Sequence, residues 1–228
     1  SALKRLSLRG PDYDFSNIYF DGSLFFGQTV LSITGKPGNH LKTYHLSVNN
    51  RYDIVLNGEI YNHKELHKKY LLKENPRSVT NCDTETLVNL HQVISPTDIY
   101  KMLKGMFAYA VYDKISESII IGRDIIGEKI LYRYEDDNFF ILSSEIGPIL
   151  ELVPSIKINK EILKEYFFTR HLLAPTSTTF QNIELIQPGH LIEYDLKSKK
   201  SKTLYQLKPA DLIDPSLIEA NKSKNSEE

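Results

Sequence analysis

Apolar and polar positions alternate along most of the chain in short runs separated by turn formers, a period of two that predicts strands. Residues 24–33 form one such run. Residues 44–48 and 52–56 flank Asn49-Asn50-Arg51 and read as a hairpin. Residues 108–112 and 118–122 flank a second turn at 113–117, and residues 130–134 and 139–142 flank a third at 136–138. Residues 191–194 and 203–206 form the last pair, joined by the lysine-rich stretch 197–202. Helical spacing is rarer. It is expected over 63–72 and over 83–93, where Leu87, Leu90 and Val93 recur at i, i+3. Asp83 or Thr84 stands where that helix would be capped, with an acidic residue in the first turn. Asn159 is placed to cap a helix over 160–168. Hairpins interrupted by amphipathic helices predict an α+β fold, antiparallel sheets covered by helices.

One junction carries chemistry. The apolar run Ile54-Val55-Leu56 leads into Asn57-Gly58-Glu59-Ile60-Tyr61-Asn62, and a helical segment follows. Glycine at a strand-to-helix junction tolerates positive φ and close approach of a ligand to the backbone. The Asn57 carboxamide and the Gly58 N–H can then point into one cleft. Two donors so placed are what an amide-hydrolysing site needs around a developing oxyanion. Asn-Gly is also an ordinary turn pair, so this dipeptide alone does not decide.

Composition narrows the class. The 228 residues are 41% apolar and 25% charged, ordinary values for a globular protein. Lys+Arg 28 against Asp+Glu 29 leaves a net charge of −1, which favours neither nucleic acid nor an anionic membrane surface. No apolar run approaches the roughly 20 residues of a membrane helix, and the start does not read as a signal peptide. The single cysteine, Cys82, excludes an intrachain disulfide and fits a reducing, cytoplasmic setting. Without tryptophan, 14 Tyr and 10 Phe must supply the large core side chains. Residues 208–228 turn polar and lysine-rich and read as a linker or disordered tail.

The segment 57–62 resembles the signature of the glutaminase domain of glutamine-hydrolysing asparagine synthetases, a class II amidotransferase with an N-terminal nucleophile. Further blocks agree in the same order: Arg9-Gly10-Pro11-Asp12, Asp83-Thr84-Glu85, Gly105-Met106-Phe107-Ala108-Tyr109-Ala110, Gly122-Arg123-Asp124, Ser144-Glu145-Ile146 and Gln187-Pro188-Gly189-His190. The resemblance covers residues 1–207. It implies a four-layer αββα sandwich of two antiparallel sheets, and hydrolysis of glutamine to glutamate and ammonia for ATP-dependent amidation of aspartate or a related carboxylate. It further implies that Asn57 and Gly58 form the oxyanion hole, that Asp83 receives the substrate α-ammonium, and that Glu59 lies beside them. The expected partners are glutamine and a synthetase domain, and the resemblance leaves a homodimer open. No cofactor is expected in this chain, since ATP and Mg belong to the synthetase half, whose phosphate loop has no match here.

Two departures stand out. The family's nucleophile is an N-terminal Cys on a strand some 20 to 30 residues before the Arg-Gly-Pro-Asp block. Here Ser1 lies only eight positions before Arg9, about 12 Å of helix at most. The domain therefore reads as lacking its first strand and is expected to be inactive as it stands, with an unpaired sheet edge. Second, Val30 in Gly27-Gln28-Thr29-Val30-Leu31-Ser32-Ile33 occupies the position of an Arg that grips the glutamine carboxylate, a pair worth about 1.5–3 kcal/mol. The alternative is thus a degenerate glutaminase fold kept as a scaffold. Other candidates read as structural. Cys82 fits a small packed side chain, and His63 and His67 a solvated helix face, because His-Lys-Glu-Leu-His is not the zinc-protease order. The lysines of 197–202 solvate a hairpin tip, and the Arg9 and Arg123-Asp124 blocks serve as buttresses.

Overall fold

A computed structural model describes residues 2–31, 45–72 and 82–207. Its largest sheet has five antiparallel strands in the order β10-β9-β5-β4-β3: β3 is Tyr52–Ile60, β4 Gly105–Asp113, β5 Ser118–Arg123, β9 His190–Asp195 and β10 Lys200–Gln206. Interior β4, next to β3, is buried on both faces. Phe107, Tyr109 and Val111 point to one core, and Ala108, Ala110 and Tyr112 to the other. That two-sided burial explains why the strand reads as a nearly unbroken apolar run.

The first core is closed by helices. Leu66 of α1 (His63–Leu66), Leu87, Val88 and Leu90 of α2 (Asp83–Leu90), and Ile99 and Tyr100 of α3 (Pro96–Met102) pack on Ile54, Leu56, Ile60 and Val111. A π-helical turn, His67–Leu71, continues α1 and buries Leu71. α3 is capped by Ser95, whose Oγ accepts the Asp98 N–H at 3.2 Å, and Pro96 opens its first turn.

Across the large sheet lies a second β layer in two pieces. One is the hairpin of β1 (Tyr13–Tyr19) and β2 (Leu24–Val30); the other is a three-stranded sheet ordered β7-β6-β8, with β6 Tyr132–Glu135, β7 Phe140–Ser143 and β8 Ile183–Leu185. Phe26, Leu24, Phe140 and Leu142 meet Ala108, Ala110, Tyr112, Ile119 and Ile121 in the inter-sheet core. Behind the small sheet, Ile149 and Val153 at α4 (Ile146–Leu152) pack on Tyr134 and Ile183. The layers are therefore helix, sheet, sheet, helix, as the resemblance implies. A fifth helix, α5 (Lys160–Thr169), buries none of its residues. Its Asn159 cap accepts the Ile162 N–H at 3.3 Å, as its sequence predicts.

The expected strand over 44–48 is not one. Residue 44 lies outside the described residues, and 45–48 make a single bridge, Leu46 to Asp53. Ser47 and Asn49 bond locally instead: Ser47 Oγ donates to Asn49 Oδ1, which also accepts the Arg51 N–H. Such side-chain competition turns the backbone out of a ladder. The helix over 83–93 ends at Leu90, and Cys82, not Asp83 or Thr84, occupies its cap. Ser1, residues 32–33 of the first predicted strand, and the tail 208–228 lie outside the described residues.

Candidate active site

β3 forms one end of the large sheet among the described residues, and the candidate residues Asn57, Gly58 and Glu59 lie along it. The Ile54 N–H donates to His45 O at 2.9 Å, the Leu56 N–H to Gln28 Oε1 at 3.0 Å, and the Ile60 N–H to Asp83 Oδ2 at 3.0 Å. All three residues direct their N–H away from β4. The period of two assigns the Gly58 N–H to the same side. Its cross-strand neighbour Phe107 turns its own N–H and C=O the other way, to the Asp124 carboxylate and N–H. Gly58 thus presents an N–H at the edge between two filled positions. The edge expected to be bare is largely covered by loop and side-chain groups.

Gly58 sits at φ 126°, a conformation side-chain-bearing residues rarely adopt, and a Cβ there would collide with the Met106 carbonyl oxygen. Two positions along, Gly105 pairs with Ile60 at φ 152°, and a Cβ there would collide with Glu59 O. The Asn57 Nδ2 is buried and meets no hydrogen-bond acceptor in the structure. A buried amide donor without a partner is costly and uncommon. The Asn57 Nδ2 therefore has capacity for an oxygen ligand, and the Gly58 N–H is its next neighbour along the chain.

Asp83 stands at the start of α2. Its Oδ1 accepts the Thr84 N–H at 2.8 Å and, more loosely, Thr84 Oγ1 and Cys82 Sγ, while Oδ2 takes Ile60, so one carboxylate fastens helix to strand and Oδ2 keeps a lone pair for a further donor. Glu59 is exposed on the strand between. His63 opens α1 and is half-buried, not a solvated surface group. Burial lowers its pKa, against the attraction of Asp83 and Glu59, so it is neutral at neutral pH beside those carboxylates. Sequence reasoning missed this neighbourhood because the helix period alone does not show which face the strand end covers. It also missed Asn62, whose carboxamide accepts the Lys104 N–H at 3.0 Å and donates to Met102 O at 2.9 Å. That clamp fixes the turn that carries the signature.

The remaining candidates have structural partners. The Cys82 thiol is pushed up in pKa by burial and by Asp83, so it remains protonated. Arg123 spends its guanidinium on the carbonyls of Lys129, Gly127 and Ile186. Asp124 accepts the N–H groups of Gly127 at 2.7 Å, Glu128 at 2.9 Å and Lys129 at 3.1 Å. The Gly189 N–H closes on Asp124 O, joining the Gln187-Pro188-Gly189-His190 block to it. Arg9 pairs with Glu145 at 3.4 Å. These blocks shape turns. Val30 engages through its backbone, accepting the Asp12 N–H at 3.2 Å, and contributes no charge. Among the described residues no three or more His, Cys, Asp or Glu converge as a metal site, and no helix is long and apolar enough to cross a membrane.

A family described as glutamine amidotransferase domain matches residues 1–206. A putative glutamine-hydrolysing asparagine synthetase 2 of Methanocaldococcus jannaschii is 31% identical over 224 residues, covering 89% of this chain and 42% of that protein. Asparagine synthetase 3 of Bacillus subtilis is 31% identical over 192 residues, with 83% of this chain and 30% of its own length covered. The chain thus spans less than half the length of these relatives. Among solved structures, the allosteric regulatory enzyme of purine biosynthesis superposes at TM-score 0.53 with 19% identity, over 80% of this chain and 35% of that one. Glutamine phosphoribosylpyrophosphate amidotransferase from B. subtilis superposes at 0.51 with 18% identity, over 78% and 34%. Both bear on fold alone, and they share its antiparallel sandwich. Fold, ordered blocks and family match agree: the chain belongs to the glutamine amidotransferase domain family, with asparagine synthetases as its relatives.

Proposed function

We propose that the Asn57–Gly58 edge receives the side-chain carbonyl oxygen of glutamine and that Asp83 receives its α-ammonium, with Glu59 alongside. The observation that carries this is the buried, partnerless Asn57 Nδ2 next to the Gly58 N–H. In an amide hydrolysis the carbonyl oxygen gains charge as the nucleophile adds, and two fixed donors stabilise it without reorganisation. The nucleophile in the resembled family is an N-terminal cysteine with its own α-amine as base. Cys82, the one cysteine of these 228 residues, is held as a thiol and does not fill that role. In the intact protein the ammonia would serve ATP-dependent amidation of aspartate or a related carboxylate by a synthetase domain, in the cytoplasm.

A second reading, a scaffold that binds a partner without hydrolysis, draws support from Val30, which offers no grip for the glutamine carboxylate. Titrating L-glutamine into the isotopically labelled chain separates the two. Saturable shifts of the Gly58 amide and the Asn57 side-chain amide, lost in Asn57→Ala, are expected for a glutamine site. No shift at millimolar glutamine would favour the scaffold. These 228 residues alone are expected to release no glutamate.

A further inference from the structure

The geometry points to Gln28 as a positioning residue for the Asn57–Gly58 donor pair, an inference that rests on the glutamine-site reading for its consequence but not for its structural content. Gln28 lies in β2, which belongs to a different sheet from β3. Its side chain nevertheless completes the edge of β3: Nε2 donates to Leu56 O at 2.8 Å and Oε1 accepts the Leu56 N–H at 3.0 Å. One carboxamide thus imitates the peptide of a neighbouring strand at a single register position. Leu56 O belongs to the peptide that also contains the Asn57 nitrogen, so the clamp fixes the plane from which Asn57 projects. Asp83 fixes the other side of Gly58 through Ile60. Between these two tethers the backbone of Asn57 and Gly58 has no freedom to swing its donors away.

The clamp has its own support. β1 delivers Asn17 and Tyr19 to Asp53, three residues before Leu56, so the hairpin is anchored on β3 at two points. Gln28 is also excluded as the missing carboxylate grip, because both ends of its amide are already engaged. Its place two residues before Val30 would otherwise suggest that role.

The test uses the full chain, labelled for NMR, with Gln28→Met, which keeps length and removes both bonds, and Gln28→Glu, which keeps an acceptor and loses the donor. Leu56 N–H exchange is expected to accelerate about fivefold to tenfold in Gln28→Met, the net worth of one hydrogen bond. The Gly58 N–H and Asn57 Nδ2 resonances are expected to move with it, while amides of β9 and β10 stay in place. Gln28→Glu keeps an acceptor for the Leu56 N–H but sets a carboxylate oxygen against Leu56 O, so Gly58 and Asn57 should move at least as far as in Gln28→Met. Faster Leu56 exchange with Gly58 and Asn57 unmoved would overturn the inference and leave a merely structural contact. An L-glutamine titration of the same samples reads the other question. Wild-type chain that ignores glutamine would sink the glutamine site while the resonances still decide the clamp. A bound glutamine whose affinity is unchanged in Gln28→Met would overturn the positioning role.

Discussion

Asp83 Oδ2 accepts the Ile60 N–H at 3.0 Å, so the first residue of α2 holds the last residue of β3. The fold and the proposed ammonium site therefore draw on the same carboxylate. Replacing Asp83 with Ala should cost about 1.5–3 kcal/mol in urea unfolding, as expected for charged hydrogen bonds. Asp83→Asn should lose less stability, because one acceptor remains, yet still weaken glutamine binding by removing the charge that meets the ammonium. A binding loss no larger in Asn than the stability loss explains would assign Asp83 to the scaffold only.

Gly58→Ala tests the backbone itself. At φ 126° with Met106 O in the way, alanine must distort β3 or β4. Strain of this kind costs about 1–3 kcal/mol. Equal stability of the variant by chemical denaturation would mean that β3 can relax at this position.

His91 should make the fold acid-sensitive. It is buried in the helix-side core, its Nε2 meets no partner in the structure, and burial pushes its pKa down from 6.5 to about 4. The unfolded chain takes up this proton below pH 6.5, whereas the folded one waits until about pH 4. Protons therefore favour unfolding across that window, and stability falls as pH drops from 6.5 to 4. About 2.5 units at 1.36 kcal/mol each give about 3 kcal/mol. Unfolding free energies at pH 7 and 4.5 should differ accordingly, and His91→Phe should flatten the slope. An equally steep slope in that variant would place the acid sensitivity elsewhere.

Glutamine binding should weaken on acidification too, through His63. Its pKa lies below 6.5, and its protonated form places a cation beside Asp83 where the substrate ammonium would sit. Affinity should be level above neutrality and decline below pH 6.5, and His63→Gln should remove that decline. A decline that survives the substitution would point to the carboxylates instead.

Much of this was legible in the sequence. The three hairpins at 108–122, 130–142 and 191–206 and the capped helix after Asn159 announced themselves by period and turn chemistry, which are local. Asn57-Gly58 was visible as a strand-end dipeptide for the same reason, and the buried Asn57 Nδ2 is what the fold adds to it. What stayed hidden depends on which elements meet. Nothing local tells that Gln28 reaches Leu56, that Asn17 and Tyr19 reach Asp53, or that His63 faces Asp83. β1 was missed because one of its faces is exposed and its alternation is polar-rich, and α3 because Ser95-Pro96-Thr97-Asp98 is a capping signature ahead of only two turns. The strand expected at 44–48 failed because Ser47 and Asn49 bond to their own neighbourhood, a competition that residue type allows but does not compel.

The hairpin of β1 and β2 joins β3 through side chains, and the sheet ladders stop short of it. The interior strands of the five-stranded sheet are held by ladders on both sides, whereas the hairpin is retained by Phe26, Leu24 and Tyr19 in the inter-sheet core and a few polar groups around Asp53 and Leu56. It is accordingly built to separate as a unit before the remainder unfolds, a partial opening at lower free energy than global unfolding. Native-state exchange and limited proteolysis would register that opening first across 13–30. Whatever grips or releases this hairpin would then govern how long the donor edge of β3 holds its shape.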